Sequence, residues 1–327
     1  NNLNDQQDRN NDEETQDPFV EPSLFVRGMT HGGDWYPTDD RLESMMKAAF
    51  YYAPCEEEEK SNVVGIISPH SCYSVCLRTA AKSYARIDPT SYQNIIILGT
   101  CHHIALPACL VSQASEVMTP FGNIPVNTEI CRKLCHDYPS VFSYMSEEVD
   151  NNEHSLEMQY PLIKYVFGHQ DVKITPILVG CLNDEREAQI AQALKPILKN
   201  PGTLFIISSD FMHWGEIFKF TQFQNQMKPL QAQPELFDKR AISIITQFNY
   251  EHFKFYIEEI KGSICGCYAI CLILLLLSKG YTAHLIDRTQ LCEILCPTDF
   301  SISYVAMTFK ISKDFTEEIE EEEEEND

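Results

Sequence analysis

Basic residues are scarce in this sequence. Among 327 residues, Lys and Arg number 25 against 48 Asp and Glu, a formal net charge of −23. A surface this poor in cations excludes the phosphate-gripping mode of nucleic-acid binding, which depends on Lys and Arg. It also argues against docking on anionic lipid. Long apolar runs are missing too. The longest, residues 264–277, has 14 residues, short of the roughly 18 that suggest a membrane span. It reads as a buried helix ended by Ser278-Lys279-Gly280, and no membrane insertion is expected. No Cys-x-x-Cys occurs among the 13 cysteines, so neither a zinc-finger spacing nor a small disulfide scaffold is visible. The pairs Cys72/Cys76, Cys131/Cys135 and Cys292/Cys296 are spaced i,i+4. Most cysteines sit among apolar neighbours, where a reduced thiol behaves as a small hydrophobe. A reducing compartment is expected, the cytoplasm first and the nucleus second.

The negative charge that is present is unevenly spread. The first 22 residues hold seven acids and one Arg, and residues 314–327 hold ten acids and no base. Those ends carry most of the imbalance and are expected to be disordered, over 1–22 and 313–327. The chain starts polar and acidic, the reverse of a secretory or mitochondrial leader, and without Met, which leaves room for residues upstream. Between the ends, a hydrophobic content of 44% is ample for a core. Nothing divides residues 23–312, so one domain is expected there.

Short β-branched runs alternate with helical stretches through that middle. Strands are expected over 63–67, 94–99, 174–179, 204–208 and 301–309, with helices over 75–85 and 184–199. Residues 56–60, Glu-Glu-Glu-Glu-Lys, read as a charged loop or helix end. Apolar strands without polar alternation, separated by helices, indicate an α/β three-layer sandwich around a mostly parallel sheet covered on both faces.

Function in such sheets collects at the carboxyl ends of the strands. Those ends carry the chain's least ordinary residues. Ser68-Pro69-His70-Ser71-Cys72-Tyr73 follows the first strand, Gly99-Thr100-Cys101-His102-His103 the second, and Ser208-Ser209-Asp210-Phe211-Met212-His213-Trp214-Gly215 the fourth. Two other segments are polar and specific-looking: Asn152-Glu153-His154-Ser155-Leu156-Glu157 and Ile264-Cys265-Gly266-Cys267. Imidazole is the commonest metal ligand and the usual acid or base near neutral pH. Three strand ends that each deliver a His therefore suit a metal or acid–base pocket, although a single His at such a place is more often structural.

Taken in order with His31-Gly32-Gly33-Asp34-Trp35-Tyr36, Pro176-Ile177-Leu178-Val179-Gly180, Ser301 and Ser303-Tyr304, these pieces resemble the Memo family over roughly residues 25–310. The resemblance implies a fold like that of the class III extradiol dioxygenases, non-haem iron enzymes that cleave catechol rings with O₂. It implies metal ligands at His70, His102 and Cys265, with Asp210 and His213 lining the same pocket in catalytic or supporting roles. Two imidazoles and one anion resemble the facial set of non-haem Fe(II) enzymes, and a thiolate as the anion admits copper or zinc beside Fe(II). Asp210 is expected to orient an imidazole, and His213 to move protons.

The expected function is a metal-dependent, O₂-activating redox protein acting on a small molecule. The family alternatives are a phosphotyrosine-peptide adaptor in cell-motility signalling, with signalling proteins as partners, and an iron or copper homeostasis protein. His154 and Glu157, three apart on one helix face, are expected in a buried polar network. His31, Trp35 and Tyr36 are candidates for covering the pocket. His103 is expected to point away, and Cys267 is close enough to Cys265 to compete with it. The chain departs from the family at Ser71-Cys72, where Ala-Gly is usual. It departs again at Cys267-Tyr268-Ala269, where a basic residue, His and Pro often stand.

Overall fold

A computed structural model describes residues 24–312. The acidic ends singled out above, 1–22 and 313–327, lie outside the described residues. The strands are β1 (Phe25–Arg27), β2 (Val63–Ser68), β3 (Asn94–Thr100), β4 (Cys109–Val111), β5 (Ala114–Val117), β6 (Ile124–Pro125), β7 (Phe142–Tyr144), β8 (Lys173–Val179), β9 (Thr203–Ser208), β10 (His213–Trp214), β11 (Tyr281–Gln290) and β12 (Ser301–Ile311). The helices are α1 (Asp40–Tyr51), α2 (Glu57–Lys60), α3 (Tyr73–Tyr84), α4 (Thr128–Asp137), α5 (Glu147–Asn152), α6 (His154–Glu157), α7 (Tyr160–Phe167), α8 (Asp184–Leu198), α9 (Gln233–Thr246), α10 (Tyr250–Glu259) and α11 (Cys267–Leu276).

The centre of the molecule is four parallel strands in the order β2-β9-β3-β8. Every residue of β2 and of β9 is buried, as strands covered on both faces must be. The crossover β2–α3–β3 runs one way across the sheet and β8–α8–β9 the other. Right-handed crossovers in opposite directions place their helices on opposite faces. Helices α1 and α7 pack beside α3, while α11 packs on α8, β3 and β9. Three layers result, as the apolar strand pattern implies. The 14-residue apolar run supplies α11, buried at eight of its ten positions. Among the described residues no helix is long and apolar enough to cross a membrane.

The flanks of the sheet differ from expectation. Strand β12 runs antiparallel to β2 on one edge and to β11 on the other, and β10 pairs with its first residues. On the far side β4 lies antiparallel to β8, with β7 beyond it. The sheet is parallel at its centre, with β12 on one side and β4 and β7, parallel to each other, on the other running antiparallel to it. Strand β11 has no apolar run to announce it. It is half-buried along its length and interrupted by His284, Asp287 and Arg288, so its sequence resembles a loop.

A small second sheet, β1-β5-β6, carries Arg27 into the interior. The topology brings the carboxyl ends of three adjacent parallel strands, β2, β9 and β3, to one edge. Residues 70, 210 and 102 follow those ends by two positions each.

Candidate metal centre

His70 enters the site two residues beyond β2 and is almost fully buried. Its backbone N–H donates to Asp210 Oδ1 at 2.9 Å. Its Nδ1 lies 2.9 Å from Ser208 Oγ. The proton on that nitrogen follows from the serine. Ser208 spends its single hydroxyl proton on the Ser155 carbonyl, at 2.6 Å, and accepts from Gln159 Nε2 at 2.9 Å. It can therefore only accept from His70, so Nδ1 carries the hydrogen. Nε2 is left as a bare lone pair, buried and without a hydrogen-bond partner. Gln159 is itself held by the Tyr84 hydroxyl and by the Pro69 carbonyl. Burial, with His102 nearby, drives the His70 pKa well below the ordinary histidine value, so the ring is neutral.

His102 is fixed by Glu153 in the same sense. Glu153 Oε1 receives His102 Nδ1 at 2.8 Å and Oε2 receives its backbone N–H at 2.8 Å. Oε1 also caps α6 by accepting from Ser155 N. Burial alone would raise this carboxyl. The bonds from His102 and Ser155 outweigh it and bring the pKa down to about 2. An ionised Glu153 keeps the proton on His102 Nδ1 and leaves Nε2 with a free lone pair, the carboxylate–histidine arrangement common behind metal ions. Gly99 lets α6 approach, because a Cβ there would stand 2.7 Å from Ser155 Oγ and Leu156 Cδ2.

Cys265 arrives from the turn before α11. Its neighbour Gly266 is what permits the approach. A Cβ at 266 would meet Ser209 Cβ at 2.5 Å, while the Gly266 N–H donates to Ser209 Oγ at 2.9 Å. One ligand atom each from His70, His102 and Cys265 lie within 4.8 Å of one another. Donors on one tetrahedral ion stand about 3.5 Å apart, so a small contraction closes the set.

The structure thus brings together the three residues that the family resemblance marks as ligands. Cys267 is buried on the far side of Gly266 and is not one of the three. His103 is exposed, with its ring edge-on to that of His154 at 6.4 Å, and is not one of the three.

His213 lies beside the sulfur, with Nε2 3.7 Å from Cys265 Sγ. Its Nδ1 faces the carbonyls of Phe211 and Ser263 at 2.8 and 3.2 Å, so that nitrogen bears the hydrogen and Nε2 is an acceptor. Asp210 is fully enclosed. It accepts from the His70 backbone and from the Ser71 hydroxyl, and burial raises its pKa above the usual carboxylate value.

Asp210 does not orient an imidazole as expected. It holds the backbone of the His70 loop, and Ser208 and Glu153 orient the two rings. Ser71, where the family usually has Ala, is the residue that ties this loop to Asp210. Cys72, where Gly is usual, has φ −53°, an ordinary backbone, so Gly is not required there.

His154 and Glu157 share α6 but serve different groups. The His154 ring stacks on His102 at 4.3 Å and lies tilted against Trp35 at 4.5 Å. Burial and the neighbouring imidazoles of His70 and His102 lower its pKa to about 3. Glu157 belongs to the polar network instead. It accepts from Arg27 Nη1 at 2.7 Å, the Tyr36 hydroxyl at 2.7 Å, the His31 backbone N–H at 2.9 Å and Thr30 Oγ1 at 2.8 Å. His31 and Trp35 therefore stand beside His154, and Tyr36 lies buried beneath.

Burial would raise the Glu157 carboxyl, but the His31 ring, its Nδ1 2.8 Å from Oε2, together with Arg27 and Tyr36 lowers it to about 2. An unfolded Glu titrates near 4.3. Its stabilising contribution is thus complete above that pH and fades as pH falls toward 2. Glu157→Gln is expected to flatten the fall of the urea midpoint between about pH 5 and 2 relative to the parent; an unchanged slope would contradict this.

The chain is an α/β sandwich with two imidazoles and a thiol gathered at the carboxyl edge of its parallel strands. A family model described as Memo-like protein matches residues 27–308, and the chain belongs to that family. A MEMO1 family protein of Schizosaccharomyces pombe is 32% identical, covering 88% of this chain and 99% of the relative. Human protein MEMO1 is 31% identical, covering 86% and 97%. Among solved structures, the uncharacterized protein JW3007 from Escherichia coli K12 superposes with a TM-score of 0.50 at 11% identity, covering 74% of this chain and 99% of that one. That likeness concerns the fold alone.

Proposed function

We propose that this protein binds one redox-active transition-metal ion, iron or copper, through His70 Nε2, His102 Nε2 and Cys265 Sγ, and uses it to activate O₂ toward a small-molecule reductant. The observation that carries the reading is the His70 ring. Its proton is committed to Ser208, and its other nitrogen is a buried lone pair with no partner. A buried acceptor left unsatisfied is costly, and an ion supplies what it lacks. Bound there, the ion would bring one-electron redox chemistry with positions open to O₂ and substrate.

The surrounding residues divide the remaining tasks. Ser208 and Glu153 fix the tautomers. Burial holds the Cys265 thiol well above its usual pKa, so binding must release its proton, and His213 Nε2 is the acceptor beside it. The donor set has a thiolate where a carboxylate would favour catechol-ring cleavage, so simpler redox turnover is the better fit. The peptide-adaptor reading has less support. The two guanidiniums that flank the region are already paired, Arg27 with Asp150 and Glu157 and Arg288 with Asp238. A phosphate group would need the metal itself as its cation.

The test is anaerobic loading with Fe(II) or Cu(I), followed by O₂ uptake with ascorbate. One ion per chain with uptake above that of free metal supports the reading. Stoichiometric metal with no uptake selects metal storage, and no metal at all removes it. Glu153→Gln is expected to keep the fold and weaken metal binding about 10–100-fold, read by competition with a chelator. Unchanged affinity would show that Glu153 does not orient His102.

A further inference from the structure

Behind His213 lies an ion pair that joins α9 to β11. Asp238, on α9, has no exposed surface, and the side chain of Arg288, on β11, is 16% exposed. The two carboxylate oxygens have separate tasks. Oδ2 accepts from Arg288 Nε at 2.9 Å and Nη2 at 2.7 Å, and Oδ1 accepts from the Met212 backbone N–H at 3.1 Å. Arg288 Nη2 also donates to Ser303 Oγ at 2.8 Å. The Ser303 backbone holds the same stretch, its carbonyl accepting from Phe211 N–H at 2.8 Å and its N–H donating to the Met212 carbonyl at 3.0 Å. A buried ion pair often adds little stability over apolar residues of the same size. What this one supplies is a fixed place for residues 211–212.

That place sets the geometry of the next residue. The Phe211 carbonyl accepts from His213 Nδ1 at 2.8 Å, which directs the ring and leaves Nε2 3.7 Å from Cys265 Sγ. His213 N–H donates to the Ser263 carbonyl at 3.0 Å, and Cys265 N–H to the Asp210 carbonyl at 3.2 Å. Residues 210–213 and 263–265 are thus bonded side by side. The candidate ligands are held by other groups: His70 by Ser208, His102 by Glu153, and the Cys265 turn by Gly266 on Ser209. A shift of residues 211–212 therefore moves His213 against the sulfur more than it moves the ligands against one another.

We propose that Asp238 and Arg288 are positioning residues for His213, holding residues 211–212 so that His213 Nε2 stays against the Cys265 thiol. The inference rests on the task given to His213 in the proposed function, and its test needs no bound ion.

Alkylation of the metal-free protein by iodoacetamide, followed peptide by peptide by mass spectrometry, reads the contact, because an imidazole against a thiol speeds its attack. The exposed Cys181 is the internal reference. His213→Ala is expected to slow Cys265 about tenfold or more. Asp238→Asn is expected to slow it about tenfold, since an amide must turn its NH₂ toward either Arg288 or the Met212 N–H and cannot accept from both. Arg288→Lys keeps the charge and loses the fork; it should slow Cys265 about threefold, and it carries the test if Asp238→Asn does not fold. In the His213→Ala background neither change should move the Cys265 rate by more than about twofold, although each still lowers Tm. Equal slowing in both backgrounds would mean that the pair acts on the fold alone and would overturn the proposal. So would an unchanged Cys265 rate in His213→Ala, or in whichever of the other two variants folds. A protein that binds no metal ion would refute the proposed function and still give one of these results.

Discussion

Arg27→Met is expected to cost about 3–5 kcal/mol of folding stability, a large share of the roughly 5–15 kcal/mol a domain possesses. The guanidinium has no exposed surface. It donates to Asp150 Oδ1 at 2.9 Å, Glu157 Oε2 at 2.7 Å, and the carbonyls of Gly28, Asp150 and Glu153. The desolvation of this group opposes its charge, but the two carboxylates and their hydrogen bonds prevail and hold it firmly protonated. Removing it leaves two buried carboxylates without a counter-charge. The loss also reaches the candidate centre, because Arg27 grips the backbone carbonyl of Glu153, whose side chain orients His102. Urea unfolding checks the first effect. Adding Asp150→Asn and Glu157→Gln to Arg27→Met should restore part of the stability, since the unpaired charges go with it. A single variant within about 0.5 kcal/mol of the parent, the range of ordinary surface changes, would contradict the account.

Cys265→Ser is expected to weaken metal binding by more than about 100-fold, beyond the usual effect of changing an outer partner. The serine hydroxyl stays protonated near neutral pH and is a poor ligand for a soft or borderline ion. The fold should survive, because Gly266 and its contact with Ser209 are untouched. Metal content after anaerobic purification, set beside an unchanged Tm without metal, reads the two effects separately. Full metal content in the variant would remove the sulfur from the centre. Cys267→Ser is the matching control and should retain the ion.

Much of the architecture was legible from local pattern. The runs at 63–67, 94–99, 174–179 and 204–208 are continuous apolar strands, and they form the parallel centre. The margins were not legible, because β11 is half-exposed and mixes His284, Asp287 and Arg288 with its apolar residues. Antiparallel pairing of β12 is a property of chain path, which short-range periodicity does not encode. At the candidate centre, the residues at strand ends stood out by position, and the convergence of His70 and His102 follows from β2 and β3 lying on either side of β9 in one sheet.

The segment holding Cys265 stood out, but its role as a ligand came only from the family resemblance, since it is one of 13 cysteines and lies in a turn. Ser208 and Glu153 were visible as polar residues in unusual places, yet their tasks depend on which proton goes where. Arg27 gave no signal at all. A lone Arg near the start of the chain becomes a buried anchor only when a separate small sheet carries it against α5 and α6.

X-ray absorption at the metal edge of the loaded protein tests the central claim most directly. Two imidazole nitrogens and one sulfur are expected around a single ion, the sulfur at about 2.3 Å, with the sulfur signal lost in Cys265→Ser. A spectrum of the parent protein that shows only oxygen and nitrogen neighbours would contradict the claim.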